Sequence, residues 1–131
     1  NLLGDYMAKL YGFKFEYQNM DSSTSELYVI LETTNKDYIL QCYYKQKTYS
    51  INITDKINEI CKMLEKMNII EWDIINYNEP MEFFPGFYWK LNIHTDTINL
   101  YSQGFNNYPS NWNEFINILN YIGIDCFYKD W

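Results

Sequence analysis

The stretch YSQGFNNYPSNWNEF, from Tyr101 to Phe115, is where two periodicities meet. Before it, TINLYSQ alternates apolar and polar residues, the pattern of a half-buried strand. Within and after it, Trp112, Phe115, Ile116, Leu119 and Ile122 fall on one face of a helix, and Gly123 supplies a stop. The stretch is therefore first a joint between a strand and a helix. Gly104 allows a sharp turn, Asn106 and Asn107 tolerate left-handed backbone, and Pro109 fixes the approach. Ser110 or Asn111 is expected to cap the helix, with Glu114 completing a capping-box exchange. Phe105, Asn106, Asn107 and Tyr108 are left as candidate binding residues.

The same switch of period occurs earlier in the chain. ELYVILETT and DYILQCYY flank Asn35-Lys36 and read as a hairpin, and KTYSINI (47–53) reads as a further strand. Phe13, Phe15 and Tyr17 alternate with polar neighbours, which gives another strand. From Thr54 the period becomes helical. Ile57, Ile60, Cys61, Leu64 and Met67 share one face, with Thr54 or Asp55 as the cap. IIEWDIINY (69–77) reads as a strand, and FYWKLNIHT with TINLYSQ as a second hairpin. Leu2, Leu3, Tyr6, Met7 and Leu10 recur at helical spacing up to Gly12, which predicts a short N-terminal helix.

Shifting the second helix by 55 positions lays it on the first without a gap: Asp55 on Ser110, Leu64 on Leu119, Met67 on Ile122. The expected fold is α+β in one domain, 1–131. An antiparallel sheet carries helices on one face, built as two βββα pseudo-repeats (13–70 and 71–131) plus the N-terminal helix.

Composition narrows the function. The 131 residues are 47% hydrophobic and 20% aromatic, so a packed core is expected. No run approaches a membrane span, and no cationic segment followed by an apolar run opens the chain. Cys42, Cys61 and Cys126 are widely spaced in apolar surroundings and read as buried thiols. A cytoplasmic, reducing setting is the expectation. No zinc-ligand spacing or phosphate loop occurs, and no metal or cofactor is expected. The net charge is −7 without any Arg, and residues 71–131 carry eight acids against two Lys. Such a surface disfavours direct nucleic-acid binding and favours a partner with a basic surface.

His94, the only histidine, stands near a strand end with no orienting carboxylate in evident reach, so an enzyme is not expected. Glu71 and Asp73 share a face if their segment is a strand, and Glu79 and Glu82 follow. Together they form an acidic edge. The tyrosines of alternating strands cannot all be core, and half are expected to point away from the helices as a docking surface. Trp89, Leu91, Ile93, Gly104, Asn106, Pro109, Asn111 and Trp112 form a pattern, W-x-L-x-I then G-x-N-x-Y-P-x-N-W. This resembles a pattern in small uncharacterised bacterial proteins, and the resemblance implies no activity. The expected function is a non-enzymatic acidic protein-binding module, a small inhibitor of the toxin-immunity or phage anti-defence kind. The alternative is a small-ligand module with a pocket lined by Tyr, Trp and Asn.

Overall fold

A computed structural model of the chain describes residues 8–19, 26–44, 46–73, 77–78 and 86–124. Strands β1 (Leu10–Asn19), β2 (Glu26–Thr33), β3 (Tyr38–Tyr44) and β4 (Lys47–Asn52) form a meander that leads into helix α1 (Ile57–Lys66). A two-residue β5 (Tyr77–Asn78), then β6 (Phe87–Thr95) and β7 (Asn99–Phe105), lead to α2 (Trp112–Ile122). All strands join one sheet in the order β4-β3-β2-β1-β6-β7-β5. Every pairing is antiparallel except β5 with β7. The α+β class expected from the two periodicities is what the chain adopts.

Alternation sets which face is covered. Phe13, Phe15 and Tyr17 of β1, Leu27 and Val29 of β2, Leu40 and Cys42 of β3, and Trp89, Leu91 and Ile93 of β6 are buried together. Both helices add their apolar stripes to this core. The rings interlock: Trp72 stacks on Trp112 at 5.8 Å, Trp89 meets Trp112 at 5.0 Å, and Phe15 meets Phe115 edge-on at 5.1 Å. Each such ring hides on the order of 200 Å², roughly 5 kcal/mol of transfer free energy before entropy is subtracted.

The helices run antiparallel. Asn111, ahead of α2, donates from Nδ2 to the Met67 carbonyl at the end of α1. At the other end, Lys56 Nζ donates to the Tyr121 carbonyl. Gly123 ends α2 in the left-handed region (φ 116°), as its position after the apolar stripe predicts. The first residues of α1 and α2, Ile57 and Trp112, are 55 positions apart.

Several expectations are corrected. The Asn35-Lys36 hairpin is a four-residue turn closed by Thr34 N–H on the Asp37 carbonyl. Thr54 does not cap α1. A 3-10 turn over Thr54–Lys56 precedes the helix, and the Thr54 hydroxyl accepts the Tyr38 amide of β3 instead. The strand expected over 69–77 is a 3-10 turn, Ile69–Asp73, followed by β5. Asn68 starts it in left-handed backbone (φ 58°), and the buried Trp72 ring packs between α2 and Trp89 of β6. Leu10 opens β1 rather than closing a helix, and Gly12 lies inside that strand at a register shift. Residues 2–7, Cys126 and the closing segment 125–131 lie outside the described residues. Cys42 and Cys61 are buried thiols outside any disulfide.

Candidate functional site

The joint after β7 uses most of the residues the sequence singled out. Asn106 takes positive φ (60°), its amide donates to the Phe87 carbonyl, and its Oδ1 accepts the Phe87 N–H at 3.0 Å. This loops the end of β7 back onto the start of β6. The Asn107 carbonyl accepts Trp89 Nε1 at 2.8 Å, and its Oδ1 accepts the Tyr108 amide. Tyr108 stacks on Phe87 at 4.3 Å and shares a hydrogen bond with the Tyr17 hydroxyl at 3.2 Å. Burial, then that bond to Tyr17, raises the Tyr108 phenol far above its ordinary value. Asn111 makes no side-chain cap. It holds Met67 and Trp72 instead, so the expected exchange with Glu114 is only a backbone turn bond. Asn106, Asn107 and Tyr108 thus each have a structural role, whereas Phe105 lies on the strand side facing away from the helices.

The acidic edge is also rearranged. Glu71 and Asp73 sit on the 3-10 turn, not on a strand, so their spacing of two no longer gives them a common face. Asp73 accepts the Tyr101 amide at 3.0 Å, and the Trp72 carbonyl accepts the Ser102 hydroxyl. With β5 beyond them, these contacts cover the β7 edge. Glu79 and Glu82 lie outside the described residues. Asp96 sits in the β6–β7 turn and Glu114 on α2, so the four described acids of the second half fall at three places in the fold, with Glu71 and Asp73 sharing one.

Among the described residues no element covers the sheet face opposite the helices. The register lines up its side chains in rows. One row reads Thr48, Tyr43, Tyr28, Glu16, Lys90, Gln103 across β4-β3-β2-β1-β6-β7. The next reads Ser50, Gln41, Ile30, Lys14, Asn92, Tyr101. A shorter row on the other side reads Glu26, Gln18, Tyr88, Phe105. Tyr101 is 52% exposed, and Tyr28, Tyr43, Tyr88 and Phe105 are half-buried. Tyr88 donates its hydroxyl to Gln18, while Lys14 and Lys90 lie over the rings of Tyr28 and Tyr88 at 5.6 and 5.9 Å. Two shallow hollows flank Lys90, one of about 250 Å³ by Tyr88 and Phe105 and one of about 160 Å³ by Lys14, Asn92 and Tyr101. Lys14, Glu16, Tyr28, Lys90 and Gln103, which the sheet brings together on this face, are not among the candidates singled out from the sequence. Their signal was the alternation itself, which assigns each to the polar side of a strand.

His94 is exposed beside Tyr11, ring to ring at 5.1 Å. Cys61 is buried, and its thiol is pushed up to about 11, first by burial and then by Asp96 and Glu65. Such a thiol is a poor nucleophile. A groove of about 610 Å³ between α1 and α2 has Met63, Met67 and Ile118 along it and Glu59, Lys62, Lys66 and Glu114 at its rim. It contains no Tyr or Trp and none of Asn106, Asn107 or Asn111, unlike the pocket expected for a small ligand. Among the described residues no helix is long and apolar enough to cross a membrane. No protein-family model matches the chain, and neither a curated protein nor a solved structure does so.

Proposed function

We propose that this protein is a non-enzymatic binding module that occupies a protein partner through the uncovered face of its sheet. The observation that carries this reading is the array of Tyr28, Tyr43, Tyr88 and Tyr101 on strands whose other side packs into the core. Tyrosine supplies large contact area at low entropic cost, and a rigid sheet keeps the rings in place. The net charge of −7 favours a partner with a basic surface, and attraction at a distance speeds its arrival. A small inhibitor of the toxin-immunity or phage anti-defence kind is the class that suits these properties. The small-ligand alternative loses support because Asn106, Asn107 and Asn111 are committed to the fold.

Affinity capture from the native host with the wild-type chain and with a Tyr28→Ser/Tyr88→Ser/Tyr101→Ser variant tests this. The reading expects one predominant protein retained by the wild type and lost by the variant, with the variant still folded at the capture temperature. Equal retention by both would remove the sheet face from the account.

A further inference from the structure

The acidic chain carries a local reversal of charge on this face. Lys14 and Lys90 both line the 160 Å³ hollow beside Tyr101 and Asn92. Neither ammonium forms an ion pair among the described residues, and Glu16, opposite Lys90 in the register, is the hollow's one carboxylate. The hollow therefore has one net positive charge, an amide and a phenol, all suited to an anionic oxygen group. The adjoining hollow is different in kind, with the Tyr88 and Phe105 rings at its side. The two lie on either side of Lys90, about one two-residue step of a strand apart, roughly 7 Å.

We propose that the face recognises an extended segment of its protein partner, with an apolar side chain at one position and a carboxylate two residues on. This rests on the sheet face being the docking surface and adds the chemistry of the contact. In an extended chain, residues i and i+2 point the same way at that spacing, so one segment fills both hollows. The apolar side chain covers the Tyr88 and Phe105 rings. The carboxylate sits in the hollow beside the Asn92 amide and the Tyr101 hydroxyl, and the Lys14 and Lys90 ammonium groups swing onto it from the Tyr28 and Tyr88 rings that they lie over in the free protein. Charge-assisted bonds to two ammonium groups fix the register of the segment, because a one-residue slip turns both side chains away. Glu26 and Glu32, toward β2, lie apart from this pair and suit basic groups elsewhere on the partner. A partner with an overall basic surface and one acidic contact residue satisfies both.

The test uses the full 15N-labelled chain and synthetic heptapeptides of the form Gly-Ser-X-Thr-Z-Ser-Gly, with Leu, Phe or Tyr at X and Glu, Gln or Lys at Z. The Glu peptides are expected to shift the amides of Lys90, Asn92, Tyr101 and Gln103. They should bind at least about fivefold more tightly than their Gln counterparts, with the gap shrinking as salt is raised. Lys14→Gln/Lys90→Gln should abolish the gap. If Gln and Lys peptides shift the same amides with equal affinity, the carboxylate assignment fails while the docking face stands. If no peptide shifts an amide on this face, the inference and the proposed docking surface both fail.

Discussion

Asn111 Oδ1 accepts the Trp72 indole N–H at 2.8 Å while Asn111 Nδ2 donates to the Met67 carbonyl at 2.9 Å. One side chain thus ties the end of α1, the 3-10 turn and the start of α2 together. It does so at the position where a helix cap was expected. Asn111→Ser separates the two roles, because serine is an equally good cap but cannot bridge both groups. The variant is expected to lose about 2–3 kcal/mol, since a buried indole N–H and a carbonyl lose their partners. Urea unfolding measures this, and wild-type stability would mean that Asn111 acts only as a cap.

Gly104 pairs with Trp89 across β6 and β7, and the indole lies where a side chain on residue 104 would be. A Cβ there would collide with Trp89 Nε1 and stand 2.7 Å from the Asn107 carbonyl oxygen. Gly104→Ala is expected to cost about 3 kcal/mol, by displacing the indole and breaking its bond to Asn107. A loss below about 1 kcal/mol by thermal unfolding would mean the indole has room to move.

Stability at alkaline pH follows from two acids held in their neutral form. Cys61 is raised from 9.0 to about 11, and Tyr108 is raised from 10.0. Below pH 9 both groups are neutral in either state, so their contribution is complete. As pH rises the unfolded chain releases protons that the folded chain retains, and stability falls. The urea midpoint is expected to drop between pH 9 and 11, with a further drop above pH 10 from Tyr108. Cys61→Ala should flatten the first part and Tyr108→Phe the second. A midpoint independent of pH over this range in the wild type would contradict the burial of both groups.

The two sides of β1 and β7 differ in what a tyrosine does there. Tyr17 faces the core, stacks with Phe87 at 6.0 Å and is 7% exposed, whereas Tyr101 points from the open face. Tyr17→Ser is expected to cost about 3 kcal/mol and Tyr101→Ser no more than about 1 kcal/mol. Similar losses from both, read from denaturant midpoints, would mean the open face contributes to the core.

Periodicity made the sheet, both helices and the Gly123 stop legible before any coordinates. Period two over 13–17 and 87–95 and period 3.6 over 57–67 and 112–122 each state one buried face. The segment 69–77 was misread because Ile69, Ile70 and Trp72 suit a strand by composition. What decides it is tertiary: left-handed Asn68, and a Trp72 ring that the core between α2 and β6 accepts. The asparagines of 106–111 were legible as a joint. Their side-chain bonds to Phe87, Trp72 and Met67 run between segments far apart in sequence, so no local pattern could show that they were already used. The open face was legible only as alternation. Which tyrosines become neighbours depends on the strand order, and the central pairing of β1 with β6 is between distant segments.

The central claim is that the tyrosine face is where the partner sits. Hydroxyl-radical footprinting of the complex captured from the host tests it directly, because Tyr28, Tyr88 and Tyr101 mark the sheet face and Met63 marks the opposite, helical side. The account predicts that oxidation of the three tyrosines falls on complex formation while Met63 oxidises as in the free protein. Protection of Met63 with the tyrosines still reactive would contradict it.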